Sequence, residues 1–451
     1  MTKTALGSCV LFALLGASHA SFAARGDITL LGSMSLPNSV FVSDVWGWVD
    51  PGTSREYAII GDWHGRKIFI IDATTPSNMK LVAEIDGVPG FDVKVWDHYI
   101  YSCDGDTFGQ DSRVIDIADP FNPVLAPRGF FSAHNIAISP AGTMFLESPG
   151  LRTLDLTADP LAPTLLSEDF GDFSDGHDAT VRGNRLYDFR GHEGTLILDV
   201  TDPANPDTLG TITDPAIAFH HSGDATADGT TLLITDELAA DPSPDITVWD
   251  ISDPADPVKL ADITDPNSTV HNLYIQDNLA YVSYYASGFK VIDITDPSAP
   301  VVLDRYDTSP LSGDGFIGAF GVYPFAPGTR VYVSDIDNGL FVFDVDTTTT
   351  LTPSAPAADE TVVLEQNAPN PFNPSTTIRY DLSQHARVTL TVYDIRGKRV
   401  RTLVDADKAP GQHQVDWDAH DSAGRRVASG VYFYRLHAGG EVQTRRMVLL
   451  K

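Results

Sequence analysis

A short β-rich run that ends in an aspartate and spills into a turn recurs seven times along this chain, at Asp72, Asp116, Asp155, Asp199, Asp250, Asp293 and Asp344. Five of the turns read aspartate-proline-two residues-proline or a close variant, as in SRVIDIADPFNPVL, GTLILDVTDPANPDTLGTI and GFKVIDITDPSAPVVLDRY. Successive anchors lie 44, 39, 44, 51, 43 and 51 residues apart, the length of one four-stranded propeller blade. Period-two alternation, β-branched residues and Asp-Pro turns argue for strands with tight connections and no helix of consequence. The expected fold is all-β, a seven-bladed β-propeller over residues 27–347, with the N-terminal run ITLLGSMSL completing the last blade. Closure of that kind removes two free sheet edges. The anchoring aspartates are read as turn chemistry, carboxylate to backbone amide, in preference to calcium ligation.

The 451 residues exceed one ordinary core. Thirty basic and 61 acidic side chains give a net charge of −31. The imbalance lies before residue 359, where 17 basic residues face 50 acidic ones. Such a surface repels nucleic acid and anionic lipid, so no nucleic-acid partner is expected. The opening MTKTALGSCVLFALLGASHASFAA has one lysine, a short apolar stretch and small residues at Ala20 to Ala24. Residues 1–24 are therefore read as a secretory signal peptide, because the stretch is too short to span a bilayer. No later run is long enough, so no transmembrane helix is expected in the mature chain. Cys9 leaves with the signal peptide and Cys103 stays alone, which excludes an intrachain disulfide. Residues 348–362 read as a linker of Thr, Pro and Ala. Beyond them, 363–451 carry about seven short strands, the count of a small immunoglobulin-like β-sandwich.

Four histidines obey the repeat. His134 (AHNIAIS), His177 (GHDATV), His221 (HHSGDAT) and His271 (VHNLYI) occupy one equivalent position in successive units, 43, 44 and 50 residues apart. The first strand of each propeller blade lines the central channel, so these imidazoles converge there. Such a set suits zinc, copper, iron or nickel. Histidines at strand entrances also serve as blade locks, hydrogen-bonded to backbone with no metal. Ser43, Phe91 and Phe320 hold the position in the remaining units, which makes one side of the channel imidazole and the other largely aromatic. Asn135, Asp178, Ser222 and Asn272 follow the histidines and are candidates for orienting the rings. Glu237, Asp236 and Glu147 lie near the same strand ends. His220 is expected to face away from the channel, and His64 and His98 to sit on outer turns. Asp104-Gly105-Asp106 through Asp111 are spaced as in a calcium loop but lack the rest of an EF-hand. There is no phosphate loop, GxSxG, HExxH or CxxC, so no catalytic residue is assigned.

With repeats and histidines laid out, the chain resembles the extracellular choice-of-anchor B proteins built of LVIVD-type repeats. The matching segments include SDVWGWVDPGTSREYAIIG, AHNIAIS, DGHDATV, LLITDE and VHNLYIQDNLAYVSYYASGFKVIDITDP, and together they cover most of residues 40–345. The resemblance implies a propeller outside the cell, attached by the lineage's own anchor, and implies no activity. The chain departs from the pattern at DGDTFGQDSR, where relatives tend to carry a histidine-containing segment. The tail resembles the C-terminal sorting module of type IX secretion cargo, itself similar to the immunoglobulin-like domain of flagellar hook-capping proteins. Asn370-Pro371-Phe372-Asn373-Pro374, TTIRYDL, VYDIRGKRVRTL, Gly430-Val431-Tyr432-Phe433-Tyr434 and Lys451 carry that likeness. It implies secretion and surface-anchoring machinery as partners of 363–451. The expectation is a secreted or cell-surface binding module with an unidentified extracellular ligand. The alternative is a metal-dependent enzyme using the histidine cluster.

Overall fold

Strand after strand pairs antiparallel with its sequence neighbour, which is what tight Asp-Pro connections permit. The computed structural model describes residues 27–347 except 106–111, 149, 170–175, 240–242, 266–267 and 310–315, and residues 362–450 except 365–366, 371, 383, 395–398, 423 and 439–440. The signal-peptide reading, most of the linker and the carboxylates from Asp106 to Asp111 lie outside the described residues.

The first sheet holds Val42–Val49, Glu56–Asp62, Lys67–Asp72 and Lys80–Asp86 in that order. The same four-strand order recurs in a second sheet over 92–125, a third over 135–169, a fourth over 178–212, a fifth over 220–263 and a sixth over 273–306. The closing sheet takes three strands from 319–346 and its outermost strand, Asp27–Met34, from the other end of the chain. Asp27 faces Asp346 and Met34 faces Leu340 in that ladder. The sequence expectation for ITLLGSMSL thus holds, and the ends of the repeat region are tied by backbone hydrogen bonds.

The first strands of consecutive sheets touch one another in turn, and Ala319–Tyr323 of the closing sheet returns to touch Val42–Val49. This ring of innermost strands is the arrangement of a propeller. Apolar cores lie between neighbouring sheets, as where Tyr101 and Val114 meet Ile136, Leu146 and Leu154. Each buried Leu or Ile there contributes about 1.5–3 kcal/mol.

The repeated aspartates do what turn chemistry requires. Asp72, Asp116, Asp155, Asp199, Asp250 and Asp293 each accept the backbone N–H two residues on, at 2.8–3.1 Å. The following proline leaves its carbonyl for the preceding sheet. Tyr101 Oη donates to Pro160 O at 3.0 Å, and Thr153 Oγ1 donates to Pro203 O at 2.6 Å. Gly210 passes so close to Pro254 O that an added Cβ would lie 1.6 Å from it. Asp344 departs from the pattern and accepts from Thr329 Oγ1.

Residues 362–450 form two sheets. One holds Val362–Leu364, Thr376–Leu382 and Gly411–Trp417; the other holds Arg399–Lys408, Ala386–Asp394, Gly430–Ala438 and Glu441–Leu449. Their facing sides bury Ile378, Tyr380, Leu390, Trp417, Tyr434 and Met447 in a single core, an Ig-like sandwich. No helix among the described residues is long and apolar enough to cross a membrane.

Candidate metal centre at the channel mouth

His134 and His177 immediately precede the innermost strands Asn135–Ile138 and Asp178–Arg182, and His271 stands two residues before Leu273–Gln276. His221 sits at a register shift in His220–Ala225. All four therefore stand at one end of the channel, opposite the Asp-Pro turns. Their rings form a continuous arc, with centroids 4.2 Å apart for His134 and His177, 4.5 Å for His177 and His221, and 4.8 Å for His221 and His271. Phe320 and Phe91 continue it at 4.0 Å from His271 and 4.6 Å from His134. The half-imidazole, half-aromatic channel expected from the repeat alignment is present. Ser43 does not fill its seat; its hydroxyl turns to Gly90 O, and Phe41 packs on Phe320 at 5.7 Å instead.

Backbone carbonyls fix the imidazole tautomers. Nδ1 of His134 meets Gly105 O at 3.0 Å, that of His177 meets His221 O at 3.1 Å, and that of His271 meets Phe320 O at 2.7 Å. A carbonyl can only accept, so each Nδ1 carries the proton and each Nε2 is the unprotonated nitrogen. His221 Nδ1 lies 3.5 Å from Thr235 Oγ1, whose own proton goes to Ser222 O at 3.1 Å. The blade-locking bonds and a ligand arrangement thus coexist: one nitrogen ties neighbouring sheets while the other faces the channel.

Glu237 completes the set. Its Oε2 lies 3.4 Å from His221 Nε2 and its Oε1 3.8 Å from His271 Nε2. One ligand atom from each of His177, His221 and Glu237 falls within 4.8 Å of the others. Tyr285 donates its hydroxyl to Glu237 Oε1, and its ring packs 4.9 Å from that of His271. Two imidazoles and a carboxylate drawn together, with His271 Nε2 a further 3.8 Å from Glu237 Oε1, match the donor types of a transition-metal site. His134 extends the arc; neither it nor His271 belongs to the group within 4.8 Å, and His271 joins through its approach to Glu237 Oε1.

Burial keeps the imidazoles neutral, the state a ligand needs. It pushes His221 and His271 down to about 3, and neighbouring imidazoles add to the effect. His177 is lowered well below its ordinary value for the same reasons.

Beneath the rings, the cavity is lined by Asp44, Asp92, Asn135, Asp178 and Asn272. Lys94 is buried among them, with Nζ 2.8 Å from Asp44 Oδ2 and bonded also to Asp92. Burial raises Asp44 well above the usual carboxylate range, while Asp92 ends below it because Lys94 and Asp44 outweigh its desolvation. Burial, with Asp92 nearby, pushes Asp178 up to about 7. The cavity volume is about 20 Å³, room for a water or an ion and too little for an organic molecule.

Several sequence expectations need correction. Asn135, Asp178 and Asn272 line the cavity but do not orient the rings: Asn135 Oδ1 and Asp178 Oδ1 accept Ala179 N at 3.4 and 2.7 Å, and Asn272 Oδ1 has no partner among the described residues. Backbone carbonyls were available where each strand enters, and they do the orienting. Asp236 accepts the amides of Ala218, Phe219 and Leu238, so it caps a loop. Glu147 is fully buried away from the cavity lining. His64 is not on an outer turn; it stacks on Trp63 at 4.4 Å and meets Phe41 at 5.3 Å, beside the channel mouth. His98 does lie on an outer turn, 3.0 Å from Asp97 Oδ2, and His220 faces away from the channel toward Thr195 Oγ1 at 2.8 Å. Gly105 O holds His134, so the described start of the proposed calcium loop serves the imidazole arc. Sequence reasoning missed Tyr285 and the layer of Asp44, Lys94 and Asp92. The latter was signalled by an acid one place after the ring position in Ser43-Asp44 and Phe91-Asp92.

Comparison with known proteins agrees with this architecture in parts. Residues 269–308 match the LVIVD repeat, and residues 373–441 match the FlgD Ig-like domain. No curated protein matches the chain. Among solved structures, a chain in the crystal structure of the mitotic checkpoint complex superposes with a TM-score of 0.52 at 13% identity, covering 75% of this chain and 99% of that one. At that identity the likeness is one of fold alone: a β-propeller type of fold with LVIVD repeat sequence, followed by an Ig-like module.

Proposed function

We propose that the protein is a secreted or cell-surface binding module, a seven-bladed propeller whose channel mouth holds a transition-metal ion through His177, His221, His271 and Glu237. The observation that carries this reading is the placement of Glu237, with its two oxygens 3.4 and 3.8 Å from the Nε2 atoms of His221 and His271. Blade-locking alone accounts for the Nδ1 bonds but not for a carboxylate set against the Nε2 atoms of His221 and His271.

In this reading residues 1–24 direct export, 348–362 link two domains, and 363–451 act as a type IX sorting and anchoring module of a choice-of-anchor B protein. The match to the FlgD Ig-like domain supports the module's fold. Two experiments separate the halves of the proposal. Calorimetric titration of chelator-stripped protein with Zn²⁺ is expected to give one site per chain, lost in the double variant His177→Ala, His271→Ala; absence of that site refutes the metal reading. Removal of 363–451 is expected to leave a folded propeller that no longer reaches the surface or medium; unchanged arrival refutes the sorting reading.

A further inference from the structure

Away from the channel lining, two carboxylates are buried between the third and fourth sheets. Glu147 closes the strand Thr143–Glu147 and Asp188 lies in Arg185–Phe189. Phe145 and Leu186, each two residues earlier, belong to one apolar cluster between these sheets. Strand alternation therefore turns Glu147 and Asp188 into the same interface, at the end nearer the channel mouth. Both are 0 % exposed. Asp188 Oδ2 accepts from Arg190 Nε at 2.7 Å, but Asp188 Oδ1 and both oxygens of Glu147 have no hydrogen-bond partner among the described residues.

Three carboxylate oxygens buried in one sheet interface without a described partner are unusual, because buried polar atoms are nearly always satisfied and unpaired buried charge is costly. One guanidinium faces two carboxylates, which leaves a negative charge over when both are ionised. Gly176 packs against them: an added Cβ would stand 2.7 Å from Glu147 Oε2, so only glycine leaves that oxygen uncovered. The donors are carboxylate oxygens with no imidazole or thiolate, which selects a hard cation over the metals suited to the histidine cluster.

We propose that Glu147 and Asp188 form a second cation site, for an ion of the calcium class, that bridges the third and fourth sheets. The site is independent of the histidine cluster and stands if that cluster binds nothing. Without a cation, burial and the neighbouring Asp188 push the Glu147 carboxyl well above the usual range. A bound ion reverses this and converts a repulsive pair into a clamp between sheets.

The test is thermal unfolding of the full chain, stripped with chelator and titrated with Ca²⁺. The wild-type melting temperature is expected to climb steadily with ion concentration, as for a ligand that binds only the folded state. Glu147→Gln is expected to melt at or above the ion-free wild type, since the orphaned charge is gone, and not to respond to Ca²⁺. Asp188→Asn is expected to lose the response as well, which covers the case where one variant fails to fold. A wild type indifferent to Ca²⁺ would mean that Glu147 simply holds a proton, and overturns the site. Variants that keep the full response would place the ion elsewhere and overturn it equally.

Discussion

The two ends of the repeated sheets treat their ionisable groups in opposite ways. At the turn end the carboxylates are exposed and satisfied: side-chain donors, then backbone amides, hold Asp119, Asp155, Asp199, Asp250 and Asp296 below the ordinary range. At the mouth end the groups are buried, and desolvation drives His221 and His271 down to about 3 and Asp178 up to about 7. The turn end repeats almost unit for unit, whereas the mouth end changes from imidazole to phenyl around the ring. Chemistry shared by every unit closes the fold; chemistry that breaks the repeat marks where this chain differs from a generic propeller.

The largest effect is expected where both ends depend on closure. Deleting 27–34 strips the outer strand from the closing sheet and exposes an edge at Gly339–Asp346. Scanning calorimetry should then find no cooperative unfolding of the repeat region; a wild-type transition would show that the ring does not need this strand.

Next come paired substitutions that separate the ends. His271→Ala should weaken Zn²⁺ binding by at least ~100-fold, since losing a ligand exceeds the 10–100-fold typical of its supporting contacts. Gly210→Ala at the turn end forces a Cβ against Pro254 O and should cost roughly 1–3 kcal/mol with Zn²⁺ affinity unchanged. Denaturant melts and calorimetry on both variants check the separation, and a shared loss would dissolve it.

A pH series sharpens the same contrast in metal-free protein. His221 and His271 stay neutral in the fold down to about 3, while the unfolded chain protonates them near 6.5. The unfolded state binds more protons in that window, so their contribution is lost as pH falls from about 6.5 toward 3. Asp178 has the opposite sign: its fold holds a proton up to about 7 against an ordinary 3.8. Its penalty therefore grows as pH rises through that range, and Asp178→Asn should gain stability at neutral pH. Urea melts across about pH 4–8 read both slopes.

The smallest expected change tests the support of the centre. Tyr285→Phe removes the donor to Glu237 Oε1 and should weaken Zn²⁺ binding about 10-fold. Asp199→Ala, which removes only the acceptor for Thr201 N, should leave it unaltered.

Much of this was legible in the sequence because it repeats. The Asp anchors gave the period, the period placed the four histidines on equivalent strands, and ITLLGSMSL supplied the missing outer strand. What stayed hidden depends on directions that one residue cannot reveal. Glu237 and Asp236 are adjacent in LLITDE, yet strand alternation sends one into the centre and the other onto the loop at Ala218 and Phe219. The carbonyls that orient the imidazoles carry no side-chain signature at all. Tyr285 reaches Glu237 across 48 residues, and His64 reached the mouth through Phe41 and Trp63, contacts that no repeat alignment contains.

The central claim is that one metal ion sits among His177, His221, His271 and Glu237. Anomalous diffraction at the zinc edge, from crystals of the full chain equilibrated with Zn²⁺, tests it directly. The account predicts one strong peak at the channel mouth, about 2.0–2.1 Å from the Nε2 atoms and about 2.0–2.2 Å from a Glu237 oxygen. A channel mouth without a peak, with zinc scattered instead over the exposed aspartates of the turns, would contradict it.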